Sequence, residues 1–172
     1  MKRNLEPKFI RLGSEKGAEL VEFAIILPLL LIFIAGTWEF GAVYRTYQAL
    51  TNGAREGARL AVLPQGINQM EAVRRRVKSY LSKSDLQTSF ISDTANDSYL
   101  VIDNPANNAA GTTVTVTIPG GGTALVSVTR VSIAYPFNFV IFGPVMKLLL
   151  PGSSTSGSIT LRTTVTMENQ AS

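Results

Sequence analysis

Gly17-Ala18-Glu19-Leu20-Val21-Glu22-Phe23-Ala24-Ile25-Ile26-Leu27-Pro28-Leu29-Leu30-Leu31-Ile32-Phe33-Ile34-Ala35-Gly36-Thr37-Trp38 decides how this chain is read. From Leu20 to Trp38 the only ionisable side chain is Glu22. At ~1.5 Å per residue the run is long enough to cross a hydrocarbon core of about 30 Å. It predicts one membrane-spanning helix. An ionisable group inside such a span costs on the order of 2.5–3.5 kcal/mol at the bilayer centre and less towards its edge. Glu22 therefore calls for a functional reason. Its position is specific: counting Ala18 as the first residue, it is the fifth after Gly17.

Charge sets the orientation. Residues 1–17 carry Lys2, Arg3, Lys8, Arg11 and Lys16 against Glu6 and Glu15, a net +3 of the chain's total of +4. The basicity is thus a property of the leader and does not mark a nucleic-acid binder. The positive-inside rule places the leader in the cytoplasm and residues 40–172 outside, with Trp38 and Tyr44 at the outer interface. The expected division is a basic leader over 1–17, a transmembrane helix over 18–40, a helical extension over 41–63 and an extracytoplasmic domain over 64–172. A removed secretory signal fits less well. The apolar run exceeds the usual length of roughly 7–15 residues, and Phe33, Ile34 and Trp38 crowd the small residues at its end.

Past the span, Gly53, Gly57 and Ala61 recur every four residues, as do Ala54 and Ala58. That lines one helical stripe with small side chains and permits close backbone approach, either to this protein's own sheet or to another subunit. Glu56 has Arg59 and Asn52 within helical reach, a contact worth about 0.2–0.5 kcal/mol. A continuous helix from about 18 to 63 would kink at Pro28 and end at Pro64.

Two stretches together resemble a known family. Gly17-Ala18 with Glu22 and Phe23 is similar to the processing site of a type IV prepilin. The same stretch, with Leu27-Pro28 following, resembles the TadE-like family of the Flp (tight adherence) pilus system. Ala54-Arg55-Glu56-Gly57-Ala58-Arg59 resembles that family's second signature. Phe23 stands where Flp-type prepilins often carry tyrosine. The likeness covers roughly residues 17–63. It implies a minor pilin or pseudopilin, cut between Gly17 and Ala18 on the cytoplasmic face by a prepilin peptidase. The implied partners are that peptidase, other pilin-like subunits including a major Flp pilin, the inner-membrane assembly platform and the lipid bilayer, with no nucleic acid. It leaves open whether the protein enters the filament. Cleavage would create an ammonium on Ala18, and Glu22 of a neighbouring subunit would meet it. Each group would offset the other's desolvation, and a subunit displaced along the axis would lose the pair. Glu22 snorkelling to the cytoplasmic headgroups is the plainer alternative. The competing function is an uncleaved, membrane-anchored scaffold or receptor domain.

The remainder reads as α+β. Ile67, Met70, Val73, Val77, Tyr80 and Leu81 predict an amphipathic helix over about 67–82, with Arg74, Arg75, Arg76 and Lys78 on a solvated or lipid-facing polar side. Four strands follow, at 99–102, 112–118, 124–135 and 158–167, with phase changes that predict bends or bulges. Pro119-Gly120-Gly121-Gly122 predicts a hairpin turn. A small antiparallel meander packed on a helix is the economical arrangement. Between the last two strands, Pro136–Pro151 is strongly apolar but broken by Gly143-Pro144 and charged at Lys147, so a second span is not expected. Phe137, Phe139 and Phe142 make it a candidate partner surface.

No catalytic chemistry is expected. The chain has no cysteine and no histidine, which excludes disulfides, thiol and imidazole catalysis and His/Cys metal sites. The triple glycine lacks the lysine of a phosphate-binding loop. Asp93, Asp97 and Asp103 do not match a calcium loop, because Ala95 stands at a ligand position. Asn96-Asp97-Ser98 fits a glycosylation sequon too short to carry meaning. The expectation is a processed structural subunit, without cofactor or metal.

Overall fold

The computed structural model of the chain describes residues 14–63, 70–93, 97–104, 113–117, 119–149 and 157–169. Leader residues 1–13, the stop at Pro64, Ile67 of the second helix, Asn96 of the sequon, the strand ends at Thr112 and Ile118, and Leu150-Pro151 lie outside them. The chain falls into two units, Met1–Trp38 and Glu39–Ser172. Its class is α+β: a long N-terminal apolar helix, further helices and a small antiparallel sheet.

Helix α1 runs Ser14–Ala61, starting four residues before the expected position and containing Pro28. Within the first unit, every residue from Gly17 to Ile34 is exposed. Thr37, a polar residue in this apolar run, satisfies its hydroxyl by donating to the Phe33 carbonyl at 3.0 Å.

In the second unit the rest of α1 carries a buried stripe of Leu50, Ala54, Ala58 and Ala61. Its end is held by buried Asn104, whose Nδ2 donates to the Ala61 carbonyl at 3.3 Å. Helix α2 (Met70–Lys83) buries Val73, Val77 and Leu81, spaced by four, so one stripe faces the core. It ends in a Schellman motif. Leu86 N–H donates to the Leu81 carbonyl and Asp85 N–H to that of Ser82. Asp85 takes the left-handed position at φ 57°, and Leu86 packs back on the core.

The sheet comprises β1 (Leu100–Asp103), β2 (Thr113–Thr117), β3 (Thr123–Asn138) and β4 (Ser158–Glu168). It is not a sequential meander. β3 pairs antiparallel with all three other strands. At 16 residues it is long enough for β2 to pair along its first part and β1 farther on. The β2–β3 hairpin closes as expected through Pro119–Gly122, where Gly120, Gly121 and Gly122 all have positive φ. The β3–β4 register is unbroken from Val128↔Glu168 to Asn138↔Ser158, so no bulge separates these strands. The change of apolar phase along β3 is a change of face. Val131 and Ile133 turn to the helices, paired with Ile102 and Leu100, whereas Val126 lies opposite Val114 in the hairpin.

Pro136 is tolerated inside β3 for a local reason. Ala134 N–H donates to the Tyr99 carbonyl on the β1 side, and the position two residues on points the same way. β1 has ended by then, so the missing proline N–H costs no ladder bond. The core between α1, α2 and the sheet gathers Leu50, Ala54, Ala58, Val73, Val77, Leu81, Ile91, Leu100, Ile102, Val131 and Ile133. Thr163, opposite Ile133 on β4, joins α1 through a 3.2 Å hydroxyl contact with Thr51.

Candidate functional site

Three places carry the residues singled out from sequence. The first is the start of α1. Gly17, Ala18, Glu22 and Phe23 are all exposed, and the Gly17–Ala18 bond lies within α1, of which Gly17 is the fourth residue. A Cβ built on Gly17 would meet nothing within 4 Å. Packing gives no reason for glycine there, although glycine costs about 1 kcal/mol relative to alanine inside a helix. Among the described residues α1 is the one helix long and apolar enough to cross a membrane, compatible with a single-pass anchor.

The second place is the small-residue stripe. Here the glycines do have neighbours. A Cβ on Gly57 would lie 2.5 Å from Val77 Cγ2, and one on Gly53 3.1 Å from Leu81 Cδ2. Ala54 and Ala58 are fully buried in the core. The stripe thus packs on this chain's own second helix and core. Beside it, Glu56 accepts from Arg59 Nε and Nη2, both at 3.2 Å, and from Arg76 Nη2 at 2.9 Å. Hydrogen bonds from Arg59 first, and then from Arg76, hold its carboxyl below the ordinary glutamate value. The pairing to Arg59 is the helical contact expected. That to Arg76 ties α1 to α2.

The polar side of α2 needs correction. Arg74 is not solvated: its guanidinium is buried 3.6 Å from Asp97, itself buried. Burial pushes the Arg74 guanidinium below its ordinary value, opposed by the charges of Asp97 and Asp93. Asp97 also accepts from Ser92 N–H and Tyr99 N–H, each at 2.8 Å, so it organises the chain leading into β1. Lys78 pairs with Asp93 at 2.8 Å. Among the described residues no cluster of acidic groups has the arrangement of a metal site.

The third place is the apolar segment before β4. It forms the end of β3 and helix α3 (Phe142–Leu149), with the rings of Phe137, Phe139 and Phe142 in edge-on succession at 5.5 and 6.5 Å. The group that fixes this arm was not singled out in the sequence. Glu39 is 1% exposed, and its carboxylate accepts from the N–H groups of Ile141 at 2.6 Å and Phe142 at 3.0 Å. These are unpaired donors at the start of α3, where Pro144 in the first turn supplies none. Gly157 seals the other side: it has φ 63°, its carbonyl accepts from Phe139 N–H at 2.9 Å, and a Cβ there would lie 2.5 Å from Gly143 Cα. The sequence holds one weak signal: no lysine or arginine lies three or four residues from Glu39, so its own helix offers the carboxylate no charged partner.

Between these parts lies an apolar cavity of about 270 Å³, lined by Glu39, Phe40, Phe139, Phe142, Gly157 and Ile159. Phe40 at its rim is 72% exposed.

Residues 17–59 match the family model of TadE-like proteins. No curated protein and no solved structure matches the chain. The family match covers both quoted signatures, and it supports a protein associated with the Tad/Flp pilus system.

Proposed function

We propose that the chain is a minor pilin or assembly pseudopilin of a Flp-type pilus, matured by a prepilin peptidase that cuts between Gly17 and Ala18. In this reading it is a single-pass protein of the cytoplasmic membrane with its leader inside and the second unit outside. Its partners are the peptidase, other pilin-like subunits and the assembly platform. The observation that carries the reading is the coincidence at Gly17: the family match begins at a glycine for which packing offers no reason.

Physical chemistry supports the bond as a cleavage point. Glycine weakens the helix there, which lowers the cost of opening the backbone for a protease. After the cut, the new ammonium on Ala18 and the Glu22 carboxylate of a neighbour set axial register, since separating them leaves two charges unpaired in hydrocarbon.

The test is the N-terminal mass of the protein from its native membrane. The expected chain begins at Ala18. An intact leader in cells with active prepilin peptidase would overturn the reading and leave an uncleaved scaffold. Glu22→Ala is expected to insert normally but to lose maturation or pilus assembly; normal piliation would show that the carboxylate is incidental.

A further inference from the structure

We infer that the arm around Phe139–Phe142 and the cavity beside Phe40 form a second membrane contact. The arm would dip into the outer interface of the same bilayer that α1 crosses. The inference rests on the single-pass reading of α1 and adds to it a contact made by the second unit.

Covalent succession places the cavity at the exit of the span. Phe40 is two residues past Trp38, and two residues reach at most about 7 Å. The cavity rim is therefore confined to the neighbourhood of the span's aromatic end. Its walls are apolar, and its neighbours Val140 and Ile141 are large apolar side chains at 67% and 37% exposure. Ile159 continues the surface from β4 at 40% exposure. From Val131 to Leu149 the chain carries a single charge, Lys147, which is exposed. An amphipathic segment with aromatic and aliphatic residues and one lysine suits an interface rich in anionic headgroups.

A second observation points to lipid. Glu39 supplies acceptors to the Ile141 and Phe142 amides from inside the protein. Caps of this kind stabilise water-facing helix starts too. At the edge of the hydrocarbon one is required, since backbone groups there must find their partners within the chain. A buried carboxylate bound to two amides of a partly exposed arm lets that surface lie where water does not wet it. The occupant is thus lipid acyl chain, held against Phe40, Phe139, Phe142 and Ile159.

The chain has no cysteine, so single cysteines report cleanly. The full-length protein is reconstituted in vesicles of phosphatidylethanolamine and phosphatidylglycerol, as Val140→Cys, Thr115→Cys and Phe33→Cys. Each is labelled with an environment-sensitive fluorophore, and lipids bearing a nitroxide high on the acyl chain act as quencher. All three positions are exposed, so labelling leaves the core untouched. The expected result is a blue-shifted probe at 140 that loses most of its emission to the quencher, while the probe at 115 keeps its own. Quenching at 33 without quenching at 140 would overturn the inference and leave the span intact. Quenching at neither would overturn both. A blue shift at 140 that resists the quencher and grows with protein-to-lipid ratio would also overturn it, identifying a second copy of the chain as the cover.

Discussion

Gly17 and Gly57 are the same residue on the same helix, and they answer to different constraints. Around Gly57 the protein leaves no room: one added carbon would collide with Val77. Around Gly17 there is open space. The contrast extends to the segments that hold them. From Gly17 to Ile34 every side chain is exposed and apolar surface finds no cover within the chain, whereas Leu50, Ala54 and Ala58 vanish into a core shared with α2 and the sheet. One part of the helix is shaped by the fold it belongs to. The other is shaped by something outside the chain, for which lipid, a protease and neighbouring helices are the proposed agents.

Removing Glu39, the first residue of the folded unit, is expected to cost the most. Glu39→Ala leaves two amides of the α3 start without acceptors and is expected to cost about 2–3 kcal/mol. Urea unfolding of the full chain in detergent measures it. Glu39→Gln, which keeps one acceptor oxygen, should recover part of the loss, and equal stability of all three forms would deny the carboxylate any structural role.

The two glycines should respond differently to one added carbon. Gly57→Ala gains about 1 kcal/mol of helix propensity but forces stiff, buried Val77 aside, where overpacking costs about 1–3 kcal/mol. A net loss near 1 kcal/mol is expected, relieved when Val77→Ala is added. Gly17→Ala meets no neighbour and should leave the unfolding of the second unit unchanged. If the two substitutions destabilise alike, the distinction drawn here fails.

The smallest effect is at Glu56. Its folded-state pKa is depressed, chiefly by Arg59 and then by Arg76. Its contribution is therefore present above the ordinary glutamate pKa of about 4.3 and is lost as pH falls through the lower folded value. Glu56→Gln should slightly flatten the acid limb of the melting temperature, and salt should shrink the difference because the pair is largely exposed. An unchanged acid limb would show that the pairs around Glu56 carry no stability.

How much of this was legible in the sequence depended on the range of the interaction. The apolar run, the small-residue stripe, the α2 stripe of Val73, Val77 and Leu81 and the four strands follow from periods of 3.6 and 2, which any short window reveals. The job of Glu39 does not, because its partners lie 102 and 103 residues away. Arg74 was misread for the same reason: its neighbours on the helix are other cations, and only distant Asp97 makes burial tolerable. The order of the sheet also escaped, since strand periodicity gives no partner. Among the residues proposed to act in processing and assembly, Gly17 and Glu22 stand out by spacing; the cavity beside Phe40 does not.

The cap at Glu39 also bears on timing. It joins a residue made early to amides synthesised some hundred positions later, so it cannot form until roughly three-quarters of the folded unit has been synthesised. Closing so wide a loop is entropically costly until β3 and β4 have brought the arm near. The cap and the Gly157 contact together mark completion: a chain stalled before Gly157 has an arm without the carbonyl that Phe139 N–H donates to. Pulse-labelled hydrogen exchange should find the Ile141 and Phe142 amides protected after the β3–β4 ladder, and protection beforehand would contradict that order.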